Sequence, residues 1–328
     1  NFMGFTNFST EMKLEVLKNK AWECGFDACG VVPVEILTRE RERLERWLGR
    51  GFHAGMNYMA NNIEKRENPA LLVEGARSVI VTLTNYYTPK LQLEGIPVVA
   101  RYAYGKDYHR VVKDRLFKLY ACLEEAIGQK ITGRVFVDSA PVFEHEWARR
   151  AGLGWIGRNS LLIHPRLGSY CFIGVIISDF EPSRYSLPEE RNFCGQCNRC
   201  VEACPTGALS SHEVNANLCI AYNTIERKDD IPSEMKKKMG DRFFGCDACQ
   251  EVCPWNRKAV LHHVEEFSPN EWLMRMSRED WLSLDEEIFR ERFKDSPLLR
   301  PGLELAFWLH TVLYDVKIAG RNGLPAAI

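Results

Sequence analysis

At 328 residues, with 45% hydrophobic and 27% charged side chains, the chain has the make-up of an ordinary globular protein, and its length predicts roughly two to three domains. Lys plus Arg (43) and Asp plus Glu (44) nearly cancel, so a nucleic-acid-binding surface could only be local. No stretch reaches the roughly 18 uninterrupted apolar residues of a membrane span, and the first ten residues carry neither a secretory pattern nor a twin-arginine pair, so a cytoplasmic protein with no membrane partner is expected.

The first predicted element is an amphipathic helix, capped by Ser9 or Thr10, carrying Met12, Leu14, Val16, Leu17 and Trp22 on its apolar face and closed by Gly25. Three β-branched runs, Ser78 to Leu83, Arg134 to Val137 and Cys171 to Ile177, read as buried strands. Between them Val112, Leu116, Leu119, Leu123 and Ile127 fall on one helix face. Together these predict an α/β domain over residues 1–185. The polar segment Pro182 to Asn192 marks a boundary, followed by a cysteine-dense, ferredoxin-like unit over 186–258 and a helical extension over 259–328, giving an α+β fold. No G-x-G-x-x-G and no phosphate-binding P-loop is present, so a nicotinamide or nucleotide fingerprint is missing.

Twelve cysteines are many for a compartment that keeps thiols reduced, and there clustered cysteines more often bind metal. Cys194, Cys197, Cys200 and Cys204, followed by Pro205, spell C-x2-C-x2-C-x3-C-P, the run in which three cysteines hold one 4Fe-4S cluster and the fourth crosses to another. A second run, Cys246, Cys249 and Cys253 before Pro254, is one cysteine short, and Cys219 can supply it. The predicted ligand sets are Cys194, Cys197, Cys200 and Cys253 for one cluster, and Cys204, Cys219, Cys246 and Cys249 for the other. Zinc is the alternative that paired C-x2-C knuckles allow, disfavoured by the two x3-C-P endings. Cys24, Cys29, Cys122 and Cys171 lack such spacing and are expected to be inert thiols. Two clusters imply an electron acceptor, expected in the first domain. There Asp138 ends a strand, where functional groups are commonly presented, or else caps the helix that follows.

The segments RYAYGKDYH (101–109), VDSAP (137–141), AGLGWIGRNSLLI (151–163), CGQCNRCVEACPTGAL (194–209), LCIAYNTIE (218–226) and GCDACQEVCPWN (245–256) together resemble the epoxyqueuosine reductases. The resemblance implies reduction of epoxyqueuosine to queuosine in a tRNA anticodon loop, by a reduced cobalamin between the two domains that is fed through the clusters by an external electron donor. It makes Asp138 the proton donor, which should then be protonated near neutral pH. It places Trp155, Gly157, Arg158, Asn159, Ser160 and Leu162 along the cobalamin, with Arg66 and Arg101 at its polar edge. Arg101, Lys106, Arg110, Lys113, Arg115 and Lys118, interleaved with Tyr102, Tyr104 and Tyr108, suit tRNA phosphates and bases. Lys106 and Arg110 lead that group, and Tyr222, Asn223 and Thr224 form a second tRNA candidate. His109 is expected to be structural rather than a cobalt ligand. About 70 residues follow Pro254, which suggests a short form, and Pro301 to Ile328 departs from the basic continuation the resemblance leads one to expect. Rival readings are a reductive dehalogenase-like cobalamin enzyme and a ferredoxin-type electron carrier.

Overall fold

The computed structural model describes residues 14–300. Its centre is a sheet of four strands: β1 (Ala28–Pro33), β2 (Ser78–Asn85), β3 (Gly133–Phe136) and β4 (Cys171–Ser178). They lie in the order β1-β2-β4-β3, and every pairing is antiparallel. Every residue of β2 is buried, because helices cover both faces and the strand's period of two sends successive side chains to opposite sides. On one face Val31, Ile80 and Ile176 meet Leu17 of α1 (Leu14–Glu23) and Val112, Leu116 and Leu119 of α2 (Tyr108–Ile127). On the other, Val79, Val81, Leu83 and Val175 meet Trp147 and Ala148 of α3 (Glu144–Arg150).

The three predicted strands and the α2 stripe occur within a residue or two of their expected ends. The first helix differs in phase: its buried seam is Leu14, Leu17 and Ala21, whereas Val16 is 39% and Trp22 73% exposed. The small Ala21 lets the helix lie close to the sheet and rotates Trp22 outward. Met12 and the proposed caps lie outside the described residues, as does the segment after Arg300.

The cysteine segment is built as two similar halves. Helical turns Arg199–Glu202 and Ala248–Glu251 each end two residues before a Cys-Pro pair and pack against one another. Strand Arg242–Phe244 joins Val98–Val99 in a parallel pair, so this segment is stitched into the first half of the chain. Helices Glu271–Arg275, Arg278–Ser283 and Glu286–Arg292 close over the join, burying Trp281, Phe289 and Phe293 with Val99, Tyr104 and Phe243. A buried polar knot fixes the two halves: Ser169 N–H donates to Asn256 Oδ1 (2.7 Å), Asn256 Nδ2 donates to Ser169 Oγ (2.9 Å) and Gln250 O (2.8 Å), and Gln250 Nε2 donates to Ser169 O (3.1 Å). Gly168 is required beside it, because a Cβ there would stand 2.1 Å from Asn256 Oδ1 and its φ is +69°.

Candidate active site and cluster cavity

Cys194, Cys197, Cys200 and Cys253 line one cavity of about 320 Å³, together with Arg158, Asn159, Phe193 and Trp255. Three thiols come from the first cysteine run and the fourth from the end of the second, as the spacing predicts. The volume equals that of about ten waters at roughly 30 Å³ each, far more than one ion at ~2.3 Å from its sulfurs needs. Among the described residues no three Cys, His, Asp or Glu side chains form a single-ion site. The cavity fits a cluster better than zinc.

The other four cysteines also gather. The thiols of Cys204 and Cys219, of Cys219 and Cys246, and of Cys246 and Cys249 sense one another's charge, and Cys249 also senses Cys200, so the two sets adjoin. Burial pushes the Cys246 thiol up to about 11 and Cys249 higher still. Thiolates there need a positive group to displace their protons. Burial likewise pushes Cys29 up to about 12 and raises Cys171, which makes both unreactive near neutral pH.

Asp138 occupies the turn after β3 in the left-handed region (φ +58°), a conformation Asp tolerates better than most residues. It caps no helix, because α3 starts at Glu144 with Phe143 as its N-cap. Its Oδ2 instead accepts hydrogen bonds from the Tyr108 hydroxyl (2.6 Å) and His109 Nε2 (3.2 Å). His109 Nδ1 lies 2.9 Å from Oδ1 of Asp107, whose side chain caps α2, and Asp107 is also paired with Arg300. Tyr108 stacks flat on Phe172, with ring centroids 4.2 Å apart and planes 2° from parallel, which fixes its hydroxyl. The Asp138 N–H donates to Glu144 Oε1 at 2.7 Å.

The electrostatics of this cleft follow from its contacts. Desolvation by its neighbours would raise Asp138, but the His109 and Tyr108 hydrogen bonds outweigh it and hold the carboxyl below its usual range. Burial would lower His109, and the bonds to Asp107 and Asp138 outweigh that and raise it. The expectation of a protonated Asp138 is therefore corrected: the shared proton rests on His109. Glu144 is pushed up to about 8 by burial and by the Asp138 charge, and so keeps its proton at neutral pH. Tyr58 and Glu226 lie near each other at the edge of the cleft, each within reach of the Asp138 charge.

The other expected site residues separate into groups. Arg66 is buried and enters no ion pair among the described residues; its Nε has no partner, and burial lowers its pKa. Gly157, Asn159 and Ser160 form a tight loop in which a Cβ on Gly157 would lie 2.6 Å from Asn159 Oδ1, while Asn159 Nδ2 and Ser160 Oγ are buried without partners. Buried donors in this state suit a bound group with polar edges. Arg158 instead donates to Gly195 O (2.9 Å) and braces the first cysteine loop.

Several expectations are corrected. Arg101 has its guanidinium on Asp247 and Glu251 and over Tyr170, tying the two halves together rather than reaching for a ligand. Trp155 packs edge-on against Phe193 and Trp255 under the first cysteine set, and Leu162 belongs to the core around Trp147. Asn223 and Thr224 point inward, with Asn223 Nδ2 on Cys219 O (2.9 Å) and Thr224 Oγ1 on Ile220 O (2.8 Å), so neither projects toward a substrate. The Tyr222 hydroxyl accepts from Gly55 N–H (2.8 Å). Lys106 and Arg110 are exposed, and Lys113 and Lys118 follow Arg110 on the open face of α2, whereas Arg115 is taken by Gly25 O and Glu266.

Sequence reasoning did not single out Glu144, Tyr58, Glu226 or Arg300. Only Glu144 had a local signal, a carboxylate just across a tight turn from Asp138. The others reach the cleft through folding alone.

Two sets of four cysteines beside an acid-base cleft define an iron–sulfur oxidoreductase. A family model described as a 4Fe-4S double cluster binding domain matches residues 193–256, and one described as epoxyqueuosine reductase QueG matches residues 66–139. The chain is 48% identical to the epoxyqueuosine reductase of Leadbetterella byssophila over 88% of its own length and 94% of that protein's. To the epoxyqueuosine reductase of Pseudomonas aeruginosa it is 39% identical over 95% and 86%. A solved epoxyqueuosine reductase carrying an epoxyqueuosine-modified tRNA-Tyr stem loop superposes with a TM-score of 0.81 at 27% identity, over 91% of this chain and 80% of that one. The Bacillus subtilis enzyme, solved with its aspartate-bearing catalytic loop swung out of the active site, gives a TM-score of 0.79 at 27% identity, with the same coverage of 91% and 80%. The chain belongs to the epoxyqueuosine reductase family.

Proposed function

We propose that this chain reduces epoxyqueuosine to queuosine within tRNA, consuming two electrons and two protons and releasing the epoxide oxygen as water. The observation that carries the reading is Asp138, held by Tyr108 and His109 in a cleft that also contains the buried guanidinium of Arg66, whose Nε has no partner. Cys194, Cys197, Cys200 and Cys253 hold one 4Fe-4S cluster, and Cys204, Cys219, Cys246 and Cys249 hold the other. Cobalamin, when bound, supplies the low-potential reducing centre that acts on the epoxide carbon. Gly157, Asn159 and Ser160 would hold it, with Arg66 at its polar edge.

The chain's own residues manage the protons. As the C–O bond opens, the oxygen gains negative charge, and the proton shared by His109 and Asp138 lies where a general acid is needed. Tyr108 keeps Asp138 aimed, and protonated Glu144 is the nearest store for the second proton. The tRNA backbone lies along Lys106, Arg110, Lys113 and Lys118, whose exposed charges begin beside Asp138's partners at the start of α2. The reaction takes place in the cytoplasm, and no described helix is long and apolar enough to cross a membrane.

The test is an anaerobic assay with epoxyqueuosine-containing tRNA, added cobalamin and a strong reductant, read by mass spectrometry of the digested nucleosides. Queuosine is the expected product, and its absence from cluster-replete protein would overturn the reading. Iron without cobalt-dependent turnover would instead indicate a simple electron carrier.

A further inference from the structure

The first cysteine cavity opens to solvent between cations. Arg199 and Lys258 line it and are exposed, and Arg257 stands beside them in the neighbouring groove. None of the three enters an ion pair among the described residues. Of the two acids in that groove, Glu251 is occupied by Arg101, which leaves Glu202. In a chain whose formal net charge is −1, this is a local excess of positive charge. At its centre are Phe193, 37% exposed, and the half-buried Trp255, and beyond Lys258 the chain continues into Leu261, which is 61% exposed. A small apolar centre ringed by like charges suits a transient partner of opposite charge.

The two cysteine sets stand differently toward the acid-base cleft. Cys219 of the second set opens helix Ile220–Ile225, and Glu226 at the end of that helix meets Tyr58 beside Asp138. The second set reaches the cleft through this helix, and the first faces the cationic rim. Electrons that enter at the rim therefore meet the first set before the second.

We propose that the rim of Arg199, Arg257 and Lys258 is the docking site of an acidic one-electron carrier protein that reduces the first cluster. The proposal rests on the reading of the eight cysteines as cluster ligands. Each encounter oxidises the carrier by one electron and reduces the cluster by one, and two encounters supply the pair that the epoxide requires. No bond or proton moves at the rim.

The experiment is anaerobic stopped-flow reduction of the cluster-replete chain, without tRNA, using a reduced acidic flavodoxin as the probe and the cluster absorbance as the signal. The parent's second-order rate constant should fall steeply with added salt, and in Arg199→Glu/Lys258→Glu it should be at least tenfold lower with a flattened salt dependence. Photoreduced deazaflavin, which needs no docking, should reduce both proteins equally. Arg257→Glu, outside the cavity wall, should repeat the effect at smaller amplitude, so the test survives even if the double variant takes up iron poorly. Unchanged rates with flavodoxin in the variants, or a parent rate insensitive to salt, would overturn the proposal. Failure of the underlying cluster reading appears separately, as missing iron in the parent.

Discussion

The cluster cavity and the Asp138 cleft meet the same force with opposite results. Burial acts on the thiols of Cys246 and Cys249, the one opposing charge, Arg242 near Cys246, is too weak to offset it, and both are driven up. Crowding by its neighbours acts in the same direction on Asp138, whose side chain is 56% exposed, yet His109 and Tyr108 more than offset it and the carboxyl stays below its usual range. The electron-carrying half is thus built to be completed by a bound cationic group, whereas the proton-carrying half is organised by the protein's own side chains. This difference separates what each half should lose on mutation: the first its cofactor, the second its chemistry with every cofactor in place.

The largest effect should come from Cys219→Ala. Cys219 supplies the ligand that the shortened second run lacks, so the variant should lose about half its iron and all product formation. Iron analysis with low-temperature EPR decides it, and full iron content would remove Cys219 from the second set. Next is Asp138→Asn. It keeps a hydrogen-bond acceptor for Tyr108 but cannot relay a proton, so kcat should fall by about 10²- to 10⁴-fold with iron and corrinoid unchanged. Normal turnover in this variant would end the acid assignment. The pH profile sharpens the same point. Because His109 is raised, its imidazolium persists above the ordinary value of about 6.5, and activity should fall only as pH rises through the raised pKa. Asp107→Asn still caps α2 but removes a carboxylate that raises His109, so the alkaline limb should move to lower pH. An unmoved limb would assign it to another group.

The two halves also differ in how far the sequence displays them. Cluster ligands are spaced by the reach of one turn, so their pattern is local, and even Cys219 follows from counting ligands. The sheet strands and the α2 stripe were legible for the same reason, since burial imposes a period on a continuous segment. The cleft is different. Tyr58, Tyr108, Asp138 and Glu226 lie far apart in the chain, and their meeting depends on how α2, the β3 turn and the Cys219 helix pack. Arg101 misleads because a solvent-like position in a basic run becomes, after folding, a clamp on Asp247. Asn223 and Thr224 mislead for a related reason: polar residues on a short helix can satisfy its own carbonyls instead of a ligand.

The smallest effect on turnover is expected where the two halves are merely joined. Asn256 accepts from Ser169 N–H and donates to Ser169 Oγ and Gln250 O, and all three partners are buried or lie in buried contacts. Asn256→Ala would strand the Ser169 N–H, while Ser169 Oγ keeps Gln250 Nε2 and Gln250 O keeps the Cys253 N–H, at roughly 1–3 kcal/mol for a buried group left in this way. For a chain of this size the melting temperature should drop by a few degrees, about 2–4 °C per kcal/mol. Asn256→Asp keeps Oδ1 for the Ser169 N–H but loses both Nδ2 donations and brings a charge into a buried site, so it should destabilise at least as much. Calorimetry of the cluster-replete protein measures both. Turnover per folded molecule should change little in each, because the Asn256 side chain bonds neither Asp138 nor a cysteine thiol, and the knot reaches the first set only through backbone, where Cys253 N–H donates to Gln250 O. A loss of kcat in Asn256→Ala at a temperature where the protein remains folded would show that the join itself tunes the path between the halves.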